Sequence, residues 1–246
     1  MNPSIAIILA AGMGVRLNPL TGDLPKCLIP LNGLSLLERC ITTLTSNGVK
    51  TIVVVIGFQG DKIRQALETR GHGATEIVYV ESPDYRTTNN IVSLWLAREY
   101  LEQGAYIIEG DVAFDESAFS KLVQDPGRSL WMVDRFRKGM DGCLLMTGEG
   151  NRVVSLQIVR EELKDYTEQM FKSVGILKVC RDTGKLLSRL LDEEVGSGNK
   201  NIYYDLVFSK YIDKLDISIC GIEGMKWAEI DTINDLHYAE GLFSHE

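Results

Sequence analysis

The sequence predicts an α/β fold: a mainly parallel central sheet with helices on both faces, and a small antiparallel portion toward the C-terminus. Three observations carry this. Short, continuously apolar runs alternate with segments of helical periodicity through the first half of the chain, the pattern of a parallel sheet covered on both faces. After about residue 128 the apolar runs are separated by turn residues, as antiparallel strands are. Of 246 residues, 45% are hydrophobic and 24% charged, enough apolar material to offset chain entropy and to exclude a disordered chain.

In chain order, Ser4 to Ala10 (SIAIILA) is an isoleucine-rich run that reads as a buried strand. Leu34, Leu36, Leu37, Cys40, Ile41 and Leu44 recur at helical spacing, and Asn47-Gly48 stops that helix. Thr51 to Ile56 is a second strand, ended by Gly57, and Asp61 can cap a helix carrying Ile63, Ala66 and Leu67. Glu76 to Val80 reads as a third strand, Asn90 to Leu101 as a helix, and Tyr106 to Ile108 as a fourth strand followed by Glu109-Gly110-Asp111. Ser129 to Val133, Cys143 to Met146 and Val153 to Val159 read as antiparallel strands with turns at Gly139 and Glu149-Gly150-Asn151, and Phe171 to Val179 as another. Helices are predicted at Asp182 to Glu194, Ile202 to Ile212 and Thr232 to Phe243, with a strand ending at Ala228-Glu229-Ile230-Asp231. Gly196-Ser197-Gly198-Asn199-Lys200 reads as flexible.

Charge and composition exclude several classes. Lys+Arg number 26 against Asp+Glu 34, a net charge of -8, which disfavours a nucleic-acid polymer as the main ligand. No apolar run reaches the roughly 18 residues of a transmembrane helix, so no membrane partner is expected. Met1-Asn2-Pro3-Ser4 lacks the basic start of a signal peptide, and a cytoplasmic location is expected. The 5 cysteines, Cys27, Cys40, Cys143, Cys180 and Cys220, form no C-x-x-C pair and read as reduced thiols. His72, His237 and His245 lie far apart in sequence, which argues against a histidine metal site.

The strongest signal follows the first strand. Leu9, Ala10, Ala11, Gly12, Met13, Gly14, Val15 and Arg16 lead through Leu17-Asn18-Pro19-Leu20-Thr21 to Pro25-Lys26. Glycines in such a loop let backbone N–H groups approach phosphates closely. A dinucleotide fingerprint would need a glycine where Leu17 stands, and a Walker loop would need Gly-Lys-Ser/Thr, whereas Lys26 follows Pro25. The stretch resembles the nucleotidyltransferase superfamily, whose signature, Leu-Ala-Ala-Gly running on into G-x-G-x-R-L-x-P-L-T-x-x-x-P-K, is matched without a gap from Leu9 to Lys26. The resemblance implies a Rossmann-like nucleotidyltransferase fold in which the loop wraps a nucleoside triphosphate, Arg16 contacts its phosphates and Lys26 reaches the α-phosphate. Residues 1–246 are expected to form one domain, with 1–128 binding nucleotide and 129–246 supplying the acceptor site and a second metal ligand.

Asp111 lies just beyond a strand's C-terminal end, where ligands sit in open parallel sheets. Asp231 ends a late strand and can sit opposite. Two carboxylates plus phosphate oxygens suit Mg2+, and the superfamily carries metal aspartates at the positions matched by Glu-Gly-Asp111 and Glu-Ile-Asp231. Both residues are also good helix caps or turn formers. Glu109 reads as a supporting residue.

Tyr85-x-x-x-Asn89-Asn90-x-x-Ser93-Leu94 looks like the phosphocholine cytidylyltransferase branch, which includes enzymes that load CMP onto phosphonates such as 2-aminoethylphosphonate. Ile202-Tyr203-Tyr204-Asp205 resembles the Leu-Tyr-Trp-Asp of choline-type enzymes. The resemblance implies CTP as substrate. Asn89, Asn90 and Ser93 can read a cytosine edge or cap a helix. A choline headgroup needs an aromatic cage, for which Tyr203, Tyr204, Trp131, Phe136 and Tyr166 are candidates. The choline enzymes' tryptophan is missing between Arg135 and Gly142. A primary ammonium would instead use carboxylates such as Asp141, Asp205 and Glu162. Arg135, Arg137, Lys138 and Lys172 can hold the acceptor's phosphonate or phosphate, Arg137 and Lys138 equally fitting a solvated face. The expected activity is Mg2+-dependent transfer of CMP from CTP to a small phosphonate or phosphate, with pyrophosphate released. The alternatives are a sugar-1-phosphate nucleotidyltransferase using UTP, dTTP or GTP, and a non-catalytic nucleotide sensor.

Overall fold

The computed structural model describes residues 1–69, 73–160, 163 and 166–244, so His72, Glu162 and His245 lie outside the described residues. Strand β1 (Ile5–Ala10) shows why the sheet forms. Its side chains alternate, Ile5 and Ile7 entering one apolar cluster and Ala6, Ile8 and Ala10 the other, as the two-residue period of a strand requires. Each fully buried aliphatic side chain contributes about 1.5–3 kcal/mol.

A short hairpin of β2 (Pro30–Leu31) and β3 (Leu34–Ser35) leads into α1 (Leu36–Ser46), opened by a capping box between Ser35 and Glu38. There follow β4 (Thr51–Ile56), α2 (Gly60–Glu68), β5 (Glu76–Glu81), α3 (Asn90–Leu96), α4 (Arg98–Leu101) and β6 (Ala105–Glu109). Strands β6, β1, β4 and β5 lie side by side and parallel. The helix predicted from Asn90 to Leu101 is two helices, broken at Ala97, whose φ of -98° and ψ of 9° leave the helical region.

The second half runs β7 (Val112–Phe114), α5 (Glu116–Gln124), β8 (Ser129–Arg135), β9 (Gly142–Thr147), β10 (Val153–Val159), β11 (Met170–Val179), α6 (Arg181–Gly196), α7 (Asp205–Tyr211), β12 (Ile217–Gly221), β13 (Trp227–Glu229) and α8 (Ile233–Leu242). Helices α1, α2 and α5 cover one face of the sheet and α3, α4, α6 and α7 the other. Strands β2, β3, β7 and β12 and helix α5 carry no predicted counterpart, Leu34 lies in β3 and not in α1, and α7 begins at Asp205, later than predicted. The supposedly flexible stretch is tied down: Asn199 Nδ2 donates to Glu194 at 2.6 Å, and the Lys200 carbonyl accepts from the Asn89 N–H at 2.9 Å. The five cysteines are free thiols, and among the described residues no helix is long and apolar enough to cross a membrane.

Two features position the site. Strand β11 pairs with β8 along one edge; on the other it pairs with β9 through Met170–Lys172 and with β6 through Ile176–Val179. The gap between β9 and β6 opens at Gly175, where the register shifts. Separately, β13 pairs with β7 outside the main sheet, and α8 packs Leu236, Ala239 and Phe243 with Leu17, Ile29, Ala228 and Ile230. That third cluster clamps the N-terminal loop against the segment bearing Asp231.

Candidate active site

Beyond the C-terminal ends of β1 and β6 lies a cavity of about 520 Å³, bordered by the N-terminal loop, Asp111, Asp231 and the gap beside β11. Gly14 has a φ of 59°, and a Cβ there would lie 3.0 Å from Lys26 Cβ. Glycine is required on both counts, so the loop glycine and the lysine form one packing unit. The Thr21 hydroxyl donates to the Gly14 carbonyl at 2.8 Å and closes the loop. Leu9, Ala10, Gly12, Met13, Gly14, Val15, Arg16 and Lys26 all border the cavity, and Ala11 borders a smaller one that adjoins it.

The Ile230 N–H donates to the Asp111 carbonyl at 3.0 Å, continuing the β7–β13 pairing and setting the two aspartates side by side. Lys26 Nζ donates to Asp111 Oδ2 at 2.6 Å and to Asp231 Oδ1 at 2.5 Å, and Arg16 Nη2 lies 2.7 Å from the same Asp231 oxygen. Burial opposes the charge of Lys26, but Asp111 and Asp231 outweigh it and hold the ammonium above the ordinary lysine range. Burial likewise pushes the Asp231 carboxyl up, and Lys26 and then Arg16 bring it below its usual value. Neither aspartate is a helix cap. Thr232 caps α8 and Asp115 precedes α5. Asp111 Oδ1 is buried and has no hydrogen-bond partner in the protein. Two adjacent carboxylates, one with an orphaned buried oxygen, fit a hard cation that draws its other ligands from phosphates and water.

At the far end, Gly175 has a φ of 78°, and a Cβ there would lie 3.0 Å from the Glu109 carboxylate. Glu109 accepts from the Tyr204 hydroxyl at 3.0 Å. Burial, then Asp205, Asp111 and Glu229, push the Glu109 carboxyl well above its ordinary range, and the Tyr204 hydroxyl offsets part of this. Burial also raises the Asp205 carboxyl, against the pull of its own backbone N–H, the Cys143 thiol and Lys172. Lys172 Nζ pairs with Glu229 at 2.9 Å. Asp141, Lys172, Tyr203 and Asp205 border the cavity as the sequence suggested.

Arg135 and Tyr204 do not. Arg135 is exposed and turned to Glu223 at 2.9 Å, in the turn after β12. Tyr204 is fully buried, because its ring packs against Phe208, which in turn meets Trp131, while its hydroxyl reaches Glu109 from inside the core. Other proposed cage members are spent elsewhere: Trp131 is buried and donates to Ser173 at 2.8 Å, and Phe136 stacks edge-on with Tyr166. Arg137, a candidate for the acceptor's anionic end, pairs with Asp134 at 3.0 Å. Asn89 caps α3 by accepting from the Asn90 N–H at 2.8 Å, and Asn90 Oδ1 accepts from the Tyr204 N–H at 2.9 Å. Each of these bonds uses only a side-chain carbonyl, and both residues border the cavities, with Ser93.

Two charged cavity residues were not among the candidates read from the sequence, Glu229 and Arg160. The spacing of Glu109 and Asp111 repeats in Glu229 and Asp231 and could have revealed the first. Arg160 carries no sequence signal.

This arrangement defines a nucleotidyltransferase: the chain belongs to the MobA-like NTP transferase domain family, whose model matches residues 6–172. Among its relatives, a 2-aminoethylphosphonate cytidylyltransferase of Lancefieldella rimae is 31% identical over 94% of this chain and 89% of that protein. A choline-phosphate cytidylyltransferase of Streptococcus pneumoniae is 26% identical over 98% of this chain and 99% of that one. The solved CTP:phosphocholine cytidylyltransferase of Streptococcus pneumoniae superposes with a TM-score of 0.80 at 24% identity, covering 98% of this chain and 99% of that one. The predicted fold class and family therefore hold.

Proposed function

We propose that the protein transfers CMP from CTP to a small phosphonate or phosphate that carries an ammonium group, and that Mg2+ is its metal. The carrying observation is the cluster of Lys26, Asp111 and Asp231 beneath the glycine loop, in one cavity with the carboxylates of Asp141 and Asp205. The activities named for the relatives support the same reading.

An oxygen of the acceptor's phosphonate or phosphate attacks the α-phosphorus in line. A new P–O bond forms, the bond to the β-phosphate oxygen breaks, and pyrophosphate leaves. No general base is needed, because a phosphate with a second pKa of about 6 is already ionised at neutral pH. Arg16 and the loop N–H groups hold the β- and γ-phosphates. Lys26 neutralises charge that develops on the α-phosphoryl oxygens, in the manner of positioned cations in phosphoryl transfer. Asp111 and Asp231 would hold Mg2+, which supplies further charge neutralisation when bound. Asn89, Asn90 and Ser93 read the base, and Lys172 holds the acceptor's anionic end. The free thiols and a nucleotide substrate suit work in the cytoplasm.

Incubating the protein with limiting CTP, Mg2+ and equal 2-aminoethylphosphonate and phosphocholine tests the reading. Pyrophosphate release with CMP-2-aminoethylphosphonate as the main product is expected. CDP-choline as the main product would mean the headgroup is misassigned. No product from either acceptor would overturn the activity.

A further inference from the structure

Arg160 follows β10 and Tyr203 precedes α7, and the two meet at the acceptor end of the cavity. The guanidinium carbon lies 5.0 Å from the Tyr203 ring centroid, and an Nη2 N–H donates to the phenolic oxygen. Both residues border the cavity, and Tyr203 is the one aromatic side chain among the described residues that does. We infer that Arg160 is a specificity-determining residue: held against the hydroxyl edge of Tyr203, it places a positive charge beside the one ring a quaternary ammonium could use and so selects acceptors with a primary ammonium. This rests on the cytidylyl-transfer reading above.

A quaternary ammonium has no N–H to donate, so it gains its binding energy from aromatic faces. The Tyr203 ring already has a guanidinium within cation–π distance, anchored by its hydrogen bond to the hydroxyl. A trimethylammonium entering there must displace Arg160, which exchanges one cation–π contact for another and loses the hydrogen bond to Tyr203. A primary ammonium does not need the ring. It donates charge-assisted hydrogen bonds to carboxylates such as Asp205 and Asp141, which border the same cavity. Asp205 is held in place at the start of α7, where it bonds the Cys143 thiol. Arg160 lies close enough to Asp205 to pull its carboxyl down, so its positive charge opposes any ammonium in the pocket. Only a headgroup that donates hydrogen bonds recovers that cost.

The test compares kcat/KM for phosphocholine and 2-aminoethylphosphonate, with CTP, in the wild type, Arg160→Gln, Tyr203→Leu and the double variant. Because each ratio is taken within one protein, a general loss of activity cancels, and Arg160 is exposed, so its replacement leaves the core intact. The wild type is expected to prefer 2-aminoethylphosphonate. Arg160→Gln is expected to move the ratio toward phosphocholine by about tenfold, the weight of one good cation–π contact. Tyr203→Leu and the double variant are expected to show no such gain. An unchanged ratio in Arg160→Gln, an equal gain in the double variant, or a wild type that prefers phosphocholine would overturn the inference while leaving cytidylyl transfer intact. A wild type that makes neither product would overturn the activity and the inference with it.

Discussion

Lys26 Nζ lies 2.5 Å from Asp231 Oδ1, and its ammonium bridges from there to Asp111. The lysine proposed for the α-phosphate thus neutralises the two carboxylates proposed to hold the metal. In the proposed reaction Asp111 and Asp231 would hold Mg2+, and Lys26 would turn from them to the phosphates.

Lys26→Ala should cut kcat by about 10²–10³-fold, as loss of one transition-state charge contact does. It should also lower the melting temperature of the metal-free protein, because two partly buried carboxylates then face each other with only Arg16 on one of them. Mg2+ should raise the melting temperature more in the variant than in the wild type, since no ammonium competes for the site. Near-normal kcat in a folded variant would remove Lys26 from the chemistry.

Asp111→Asn and Asp231→Asn should each abolish Mg2+-dependent turnover and lower the melting temperature without metal. Repulsion between facing carboxylates would by itself give the opposite sign. The structure reverses it, because each substitution takes a partner from an ammonium only 13% exposed, at a cost on the order of 1–3 kcal/mol. Melting curves without metal, with Mg2+ titrations of activity, check both halves.

CTP should be preferred over UTP by roughly 10²-fold or more in kcat/KM, because a site matched to the cytosine amino group leaves polar atoms unpaired against uracil. A nucleotide panel measures this, and equal use of both would point to the sugar-1-phosphate branch.

Glu109→Gln should stabilise the unliganded protein at neutral pH, with the gain shrinking as pH falls. The folded-state pKa of Glu109 is raised, chiefly by burial. Between the ordinary glutamate value of about 4.3 and that raised value, the folded protein holds a proton the unfolded chain has lost. Wild-type stability therefore falls as pH rises through this window. Glutamine keeps an acceptor for the Tyr204 hydroxyl and removes the titration. Melting temperatures of both proteins from pH 4 to 8 should coincide at the acid end and diverge above it.

The parts of this protein written in sequence are those that depend on neighbours along the chain. The continuous apolar runs of Ser4 to Ala10 and Thr51 to Ile56 determine buried strands, because a strand turns successive side chains to opposite faces and only a sheet covered on both needs every one apolar. The run from Gly12 to Lys26 was legible as the proposed phosphate loop, because its glycines, arginine and lysine match the family signature position by position. Asp111 and Asp231 were legible because each closes a strand. At the acceptor end the sequence pointed to Asp141, Lys172, Tyr203 and Asp205, which border the cavity, but which side chains join or leave them was decided by tertiary structure. Adjacent Tyr203 and Tyr204 part company, one bordering the cavity and the other buried under Glu109. Arg135 turns away to Glu223 while Arg160, unmarked in sequence, lies against Tyr203. These outcomes follow from where β11 leaves β9 for β6 at Gly175. That crossing sets which side chains face the gap, and it depends on strands far apart in sequence, so no local pattern encodes it.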